Sequence, residues 1–206
     1  MKPDCTLRAC LREPIPEIAE AASYLDEAVS AHLDGQSDLA DKLIRRANMR
    51  VIREWTESLW GPGYLRYRIV SDVSPGIPDE HRVKERMPYA AEKRALHRRD
   101  GYHCRFCGIP VIRAEVRARI RTYYPNALPW GRKNTDQHAA FQAMWVVYDH
   151  LLPHSKGGTN ELGNIVVACA PCNNARCDST LNEVGLINPM TREPVNSKWD
   201  GLERFR

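Results

Sequence analysis

Asp149-His150-Leu151-Leu152-Pro153-His154-Ser155-Lys156-Gly157-Gly158-Thr159-Asn160-Glu161-Leu162-Gly163-Asn164, running on into Ile165-Val166-Val167-Ala168-Cys169-Ala170-Pro171-Cys172-Asn173-Asn174-Ala175-Arg176, organises the rest of the chain around it. Trp145 to Leu152 reads as a strand that carries a carboxylate beside an imidazole. Pro153 and Gly157-Gly158 turn the chain. Ile165-Val166-Val167 is a short apolar run of the kind that forms a buried strand, and Cys169-x-x-Cys172 opens onto a helix bearing Asn173 and Arg176. The order is strand, loop, strand, helix.

The second half of a cysteine set lies far upstream. Seven cysteines occur in the chain, and four form two CxxC pairs, Cys104/Cys107 and Cys169/Cys172. Two such knuckles supply the four thiolates that structural Zn²⁺ prefers. A redox dithiol is the alternative, but neither pair opens a helix in a thioredoxin-like βαβ setting. A filled four-cysteine site has no open coordination position, so its expected role is to clamp the segment before Cys104 to the strand and helix around Cys169. Cys5, Cys10 and Cys177 fit no ligand spacing and read as plain thiols.

The series Asp149-His150, Asn164, Cys172-Asn173 and Arg176 resembles the HNH endonuclease family, of the McrA-like type with a zinc-binding cysteine quartet. Arg98-Arg99-Asp100-Gly101-Tyr102-His103-Cys104-Arg105-Phe106-Cys107-Gly108 resembles that family's approach to its first knuckle. The resemblance covers about residues 89–185. It implies a ββα-metal (His-Me finger) nuclease with His150 as general base, a role suited to neutral imidazole. It also implies that Asn164 holds the imidazole in its tautomer through its amide or backbone. Asp149 and Asn173 would be ligands of a catalytic Mg²⁺ or Mn²⁺, Asn173 standing where the family carries its last His, and an oxygen donor there favours a hard ion. Arg176 would contact phosphate, and Lys156 is a further candidate against the alternative of a solvated loop lysine. Adjacent strand residues point to opposite faces, so Asp149 and His150 can serve one phosphate only if the strand end twists or bends. His154 reads as a bystander, and His103 and His138 as substitutes should a cysteine fail to bind zinc.

Upstream, Pro16 to Leu33 carries Ile18, Ala22, Leu25, Val29 and Leu33 at helical spacing, with Gly35 as its stop. A second helix is expected from Ser37 through Leu59 along Leu39, Leu43, Ala47, Val51 and Trp55 until Gly61-Pro62-Gly63, the two forming an antiparallel hairpin. Tyr64 to Val70 alternates like a short strand. His32 reads as a surface or capping histidine. The expected organisation is a helical region of unknown role over 1–70, a Pro/Gly-rich linker over 71–88, an HNH domain over 89–187 with an insertion at 109–144, and a tail over 188–206 whose Trp199, Leu202 and Phe205 pack back onto the core. Within the domain, helices are expected over Tyr89–Arg99, about Val111–Tyr123, and from Thr135 or Asp136 to Met144. Arg113, Arg117 and Arg121 make a basic face that is either solvated or tracks phosphate. The insertion's Tyr123, Tyr124 and Trp130 could read nucleic acid or serve packing. The fold class is α+β.

The 206 residues are 43% hydrophobic and 27% charged, which argues against global disorder. No apolar run reaches the roughly 20 residues of a membrane span, and Met1-Lys2-Pro3-Asp4-Cys5 has no apolar signal core, so the cytoplasm is the expected location. Residues 1–88 hold 13 Lys/Arg against 15 Asp/Glu and residues 89–206 hold 17 against 11, which places the basic surplus with the motif. The expected partner is nucleic acid, DNA before RNA, with the helical region as a docking surface for a protein partner, and with restriction or phage defence as the setting. The alternative from a different class is a non-catalytic zinc-ribbon nucleic-acid-binding or adaptor protein. It would keep the cysteines but have no use for Asp149, His150, Asn164 and Asn173 together.

Overall fold

The computed structural model describes residues 7–60, 67–70 and 73–206. Cys5, Gly61-Pro62-Gly63 and the first half of the expected strand at 64–70 lie outside them. Helix α1 spans Pro16–Leu33, with Pro16 in the first turn where its missing N–H is not needed. Ile18, Ala21, Ala22, Leu25, Ala28 and Val29 form its buried face. Gly35 sits at φ +76° with open space around it, so only the left-handed conformation calls for glycine there.

The expected second helix is two: α2 (Ser37–Arg46) and α3 (Arg50–Leu59). The i+4 apolar spacing runs through the break at 47–49 unchanged, so periodicity alone cannot show it. The break has a use. Asn48 Oδ1 accepts the Ala139 N–H at 2.7 Å, and the Ile44 carbonyl bonds His138 Nε2 at 2.8 Å. Both contacts seat the start of α6 (Ala139–Ala143), all five residues of which are buried. Helix α6 packs against α3, α1 and α7, so part of the expected insertion is core, and one apolar cluster runs from Ile18 through Phe141 to Val166. Tyr67–Val70 contains no strand; Ile69 N–H instead bonds the Glu183 carbonyl at 2.9 Å.

Helix α4 covers Ala90–Asp100, and Glu92 closes its first turn on the Tyr89 N–H at 2.6 Å. At its other end the buried Asp100 accepts the Val167 N–H at 3.0 Å, fastening α4 to the sheet. Helix α5 covers Ala114–Tyr123 and buries Val116 and Ile120. Its basic face is mostly engaged: the Arg117 guanidinium lies 3.6 Å from the Trp130 ring centroid, and Arg113 and Arg119 reach Glu203 in the tail. His32, expected at the surface, stacks on Phe205 at 4.3 Å and bonds the Tyr124 hydroxyl. The tail packs back as expected, with Leu202 and Phe205 buried and Trp199 Nε1 on the Val111 carbonyl. The fold is α+β.

Strands β1 (Val146–His150) and β2 (Ile165–Cys169) pair antiparallel with Asp149 opposite Val166 and His150 opposite Ile165. Every residue of β2 is buried, and α7 (Ala170–Arg176) follows directly and packs on both strands.

His138 is fully buried beside Arg53, and its Nδ1 has no partner among the described residues. Burial, and less strongly Arg53, hold its imidazole down at about 4 in spite of the Ile44 bond. The unfolded chain therefore takes up this proton first as pH falls, and stability drops between about pH 6.5 and pH 4. The contribution is about 3 kcal/mol. Denaturant unfolding at several pH values should show a shallower acid loss in His138→Gln than in the parent, and parallel curves would rule this source out.

Candidate active site

The loop after β1 is closed by glycine and asparagine. A Cβ at Gly158 would lie 1.8 Å from the Leu152 carbonyl oxygen, so no other residue fits there. Asn164 takes the Leu152 N–H on Oδ1 at 2.8 Å and donates Nδ2 to the Thr159 carbonyl at 2.9 Å, while its own carbonyl accepts Leu151 N–H. Asn164 thus staples the loop. It does not hold the imidazole, which corrects its expected role.

That role falls to Asn160, which the sequence reading passed over. His150 Nε2 lies 2.9 Å from Asn160 Oδ1, and Asn160 Nδ2 donates to the Glu85 carbonyl at 2.7 Å. Because the amide donates to Glu85, its oxygen faces His150 and must accept, so Nε2 carries the hydrogen and Nδ1 the lone pair. Burial lowers the His150 pKa from its ordinary value, partly opposed by the Asn160 bond and by Asp149, and the nearby His154 adds to the lowering. The imidazole is accordingly neutral at pH 7. His154, read as a bystander, lies with its ring centroid 6.1 Å from that of His150 and its Nε2 on the Val83 carbonyl.

Asp149 leaves the strand towards α7. Arg176 Nε reaches its Oδ2 at 3.0 Å and Nη2 its Oδ1, a bidentate pair. The same guanidinium bonds the carbonyls of His150 and Ser179. Arg176 is 1% exposed and Asp149 5%, so this is an internal pair. The expected phosphate contact by Arg176 is corrected: α7 packs against β1, and the side chain one turn past Cys172 turns inward. Burial raises the Asp149 carboxyl above its ordinary value, and Arg176 and His150 pull against that rise.

Lys156 is corrected in the same way. Its Nζ lies 2.7 and 2.6 Å from the two Glu183 oxygens, both side chains being buried. Burial works to raise the Glu183 carboxyl, but Lys156 and the N–H groups of Thr180 and Ser74 outweigh it and hold it at about 2.

Asp149, His150 and Arg176 border a cavity of about 580 Å³ whose walls also include Tyr148, His154 and Asn173. Both residues of the Asp149-His150 pair border this one cavity. Residues 82–87, expected to be linker, form the opposite rim through Arg82, Arg86 and Met87. Among the oxygen donors on the cavity wall are Asp149, with a second lone pair on each carboxylate oxygen, and the half-buried Asn173 amide, donors of the kind a hard divalent ion that keeps several waters accepts.

Behind the cavity, the ligand sulfurs of Cys104, Cys107, Cys169 and Cys172 lie within 4.8 Å of one another. Cys107 Sγ and Cys169 Sγ are 3.7 Å apart, close to the edge of about 3.8 Å for a tetrahedron with metal–sulfur bonds of about 2.3 Å. Three of the four are buried and Cys107 is half-buried. Burial pushes the Cys169 thiol up, and the neighbouring cysteines push Cys172 up while their hydrogen bonds, against burial, bring Cys104 down. Charging all four as thiolates therefore calls for a cation at their centre. The donor set fits a divalent metal.

A two-stranded antiparallel sheet with a helix packed on it and an Asp-His pair at the strand end defines the class of site. Residues 142–179, which span α6's end, β1, the loop, β2 and α7, match the HNH endonuclease family. Neither the search of curated proteins nor that of solved structures returned a match. The matched segment holds Cys169 and Cys172 but not Cys104, Cys107 or the 82–87 rim. Among the described residues no helix is long and apolar enough to cross a membrane.

Removing Arg176 leaves a buried carboxylate and several carbonyls without a partner. Arg176→Ala should cost roughly 3–5 kcal/mol in chemical unfolding, whereas a residue that met substrate alone would leave the midpoint unmoved.

Proposed function

We propose that this cavity is the active centre of a divalent-metal-dependent HNH endonuclease that hydrolyses phosphodiester bonds in DNA. The observation that carries the proposal is the chain from the Glu85 carbonyl through Asn160 to His150, which leaves Nδ1 as a neutral base bonded to no described residue. His150 Nδ1 takes a proton from water as the water oxygen bonds to phosphorus. The bond from phosphorus to the 3′ oxygen breaks, that oxygen takes a proton from a second water, and the products carry a 5′-phosphate and a 3′-hydroxyl. Asp149 and Asn173 would hold Mg²⁺ or Mn²⁺, which when bound supplies charge neutralisation at the phosphate and the departing oxygen. Arg176 keeps the Asp149 carboxylate in place, and Asn164 fixes the loop that carries Asn160.

The four cysteines would hold a structural Zn²⁺ that takes no part in the reaction. In this reading residues 89–187 are the nuclease unit, and the N-terminal helices support it through α6 and α7 and could dock a protein partner. A setting in restriction or phage defence rests on the family resemblance, and a cytoplasmic location on the sequence's want of an apolar signal core.

Purified protein should nick plasmid DNA with Mg²⁺ or Mn²⁺, and His150→Ala should abolish it. Asn160→Ala should lower the rate about 10–100-fold, as loss of an orienting partner does elsewhere. It should also move the acid limb of kcat/KM to lower pH, because the Asn160 bond raises the His150 pKa. DNA binding without cleavage under every metal tried would point to the adaptor class instead. Elemental analysis should find about one zinc per chain, with Cys172→Ser losing both the metal and several degrees of melting temperature; a metal-free protein of unchanged stability would remove the zinc assignment.

A further inference from the structure

A phosphodiester is an anion, and the two cations expected to meet it, Lys156 and Arg176, are both spent on internal carboxylates. A protein cation that meets the substrate beside the metal has to come from another residue of the cavity wall. Residues 77–87 lie across the catalytic loop as a strap. Ile77 N–H bonds the Ser155 carbonyl at 2.9 Å, the Val83 carbonyl meets His154 Nε2 at 2.9 Å, and the Glu85 carbonyl accepts Asn160 Nδ2 at 2.7 Å. The root of the strap is tied as well, since Ser74 N–H bonds the carboxylate that Lys156 holds.

Two strap cations line the cavity, Arg82 and Arg86. Arg82 is committed to the Ile77 carbonyl at 2.9 and 2.7 Å and to Asp79. Arg86 is exposed, and no described residue bonds it or pairs with it. It shares a peptide unit with the Glu85 carbonyl, so its backbone is two hydrogen bonds from the His150 ring. Met87 and Tyr89 beside it are 48% and 63% exposed, and Lys84 is exposed too. Charge interleaved with exposed apolar and aromatic surface is the composition that holds a nucleic-acid strand through phosphate contact and stacking.

We infer that the strap over residues 77–87 is the strand-binding clamp of this site, with Arg86 as its phosphate contact. The inference rests on the nuclease reading and extends it to a segment outside the family match. Arg86 acts in binding, and its loss leaves the base and its tautomer intact.

The test measures binding of labelled single-stranded and duplex DNA oligonucleotides across a salt series, in a His150→Ala background, and steady-state cleavage in the otherwise native chain. Arg86→Ala should weaken binding about tenfold and reduce the slope of log K against log salt by about 1. In cleavage KM should rise about tenfold with kcat within about twofold. Arg86→Lys should restore the slope, and Arg50→Ala, which removes an exposed charge from α3 away from the cavity lining, should change neither. Unchanged affinity and slope in Arg86→Ala, with the parent still cleaving, would overturn the clamp and leave the nuclease standing. Arg86-dependent binding by a parent that never cleaves would support the clamp and sink the nuclease. A parent that neither binds nor cleaves DNA overturns both.

Discussion

A guanidinium that is 1% exposed must find hydrogen-bond acceptors inside the protein, and the site is built around that demand on Arg176. Its partners are the Asp149 carboxylate and the carbonyls of His150 and Ser179. One side chain therefore fixes the end of β1, the turn after α7, and the orientation of the acid beside the imidazole. Lys156 and Glu183 do the same work one layer out, joining the catalytic loop to the chain after α7 and to the root of the strap at Ser74. Such pairs are poor sources of net stability, because the desolvation cost rivals the attraction. What they supply is position, since neither partner can move without stranding the other.

The sequence was most legible where local chemistry allows few alternatives. The ββα order, the cysteine quartet and the Gly-Gly turn were all readable, because a buried apolar run, two CxxC pairs and a backbone approach that excludes any Cβ each leave a local mark. Direction was not readable. Arg176 and Lys156 are long cations at plausible spacing, and whether such a side chain faces a phosphate or a buried carboxylate depends on partners 27 residues away in each case. Asn164 and Asn160 were confusable for the same reason: two asparagines on one loop carry the same amide, and only the fold assigns one to the backbone and the other to the imidazole. The break at 47–49 was hidden because the apolar phase continues through it, and its cause, the docking of α6, lies more than 90 residues downstream.

That docking changes what the N-terminal helices are for. A five-residue helix has no stability of its own. Helix α6 exists because α3, α1 and α7 bury it and because Asn48 and His138 fasten its first turn. The chain enters β1 directly from α6, and Ile112 pairs with Trp145 at that junction. Support from the N-terminal helices therefore reaches β1 by continuous packing.

The same logic limits what the family segment can do alone. Residues 142–179 contain His150, Asp149, the loop staple Asn164 and half the cysteine set. Yet the hydrogen bonds that orient the His150 ring run through Asn160 to a carbonyl at Glu85, outside that segment. An amide whose donor end is unpinned can turn over and present N–H₂ to the imidazole, which would then have to accept at Nε2 and carry its proton on Nδ1. In that state the nitrogen proposed to take the proton is already protonated. The strap is thus a condition for the tautomer as well as a wall of the cavity. A segment that resembles a linker in composition becomes, through one backbone carbonyl, part of what fixes the His150 tautomer.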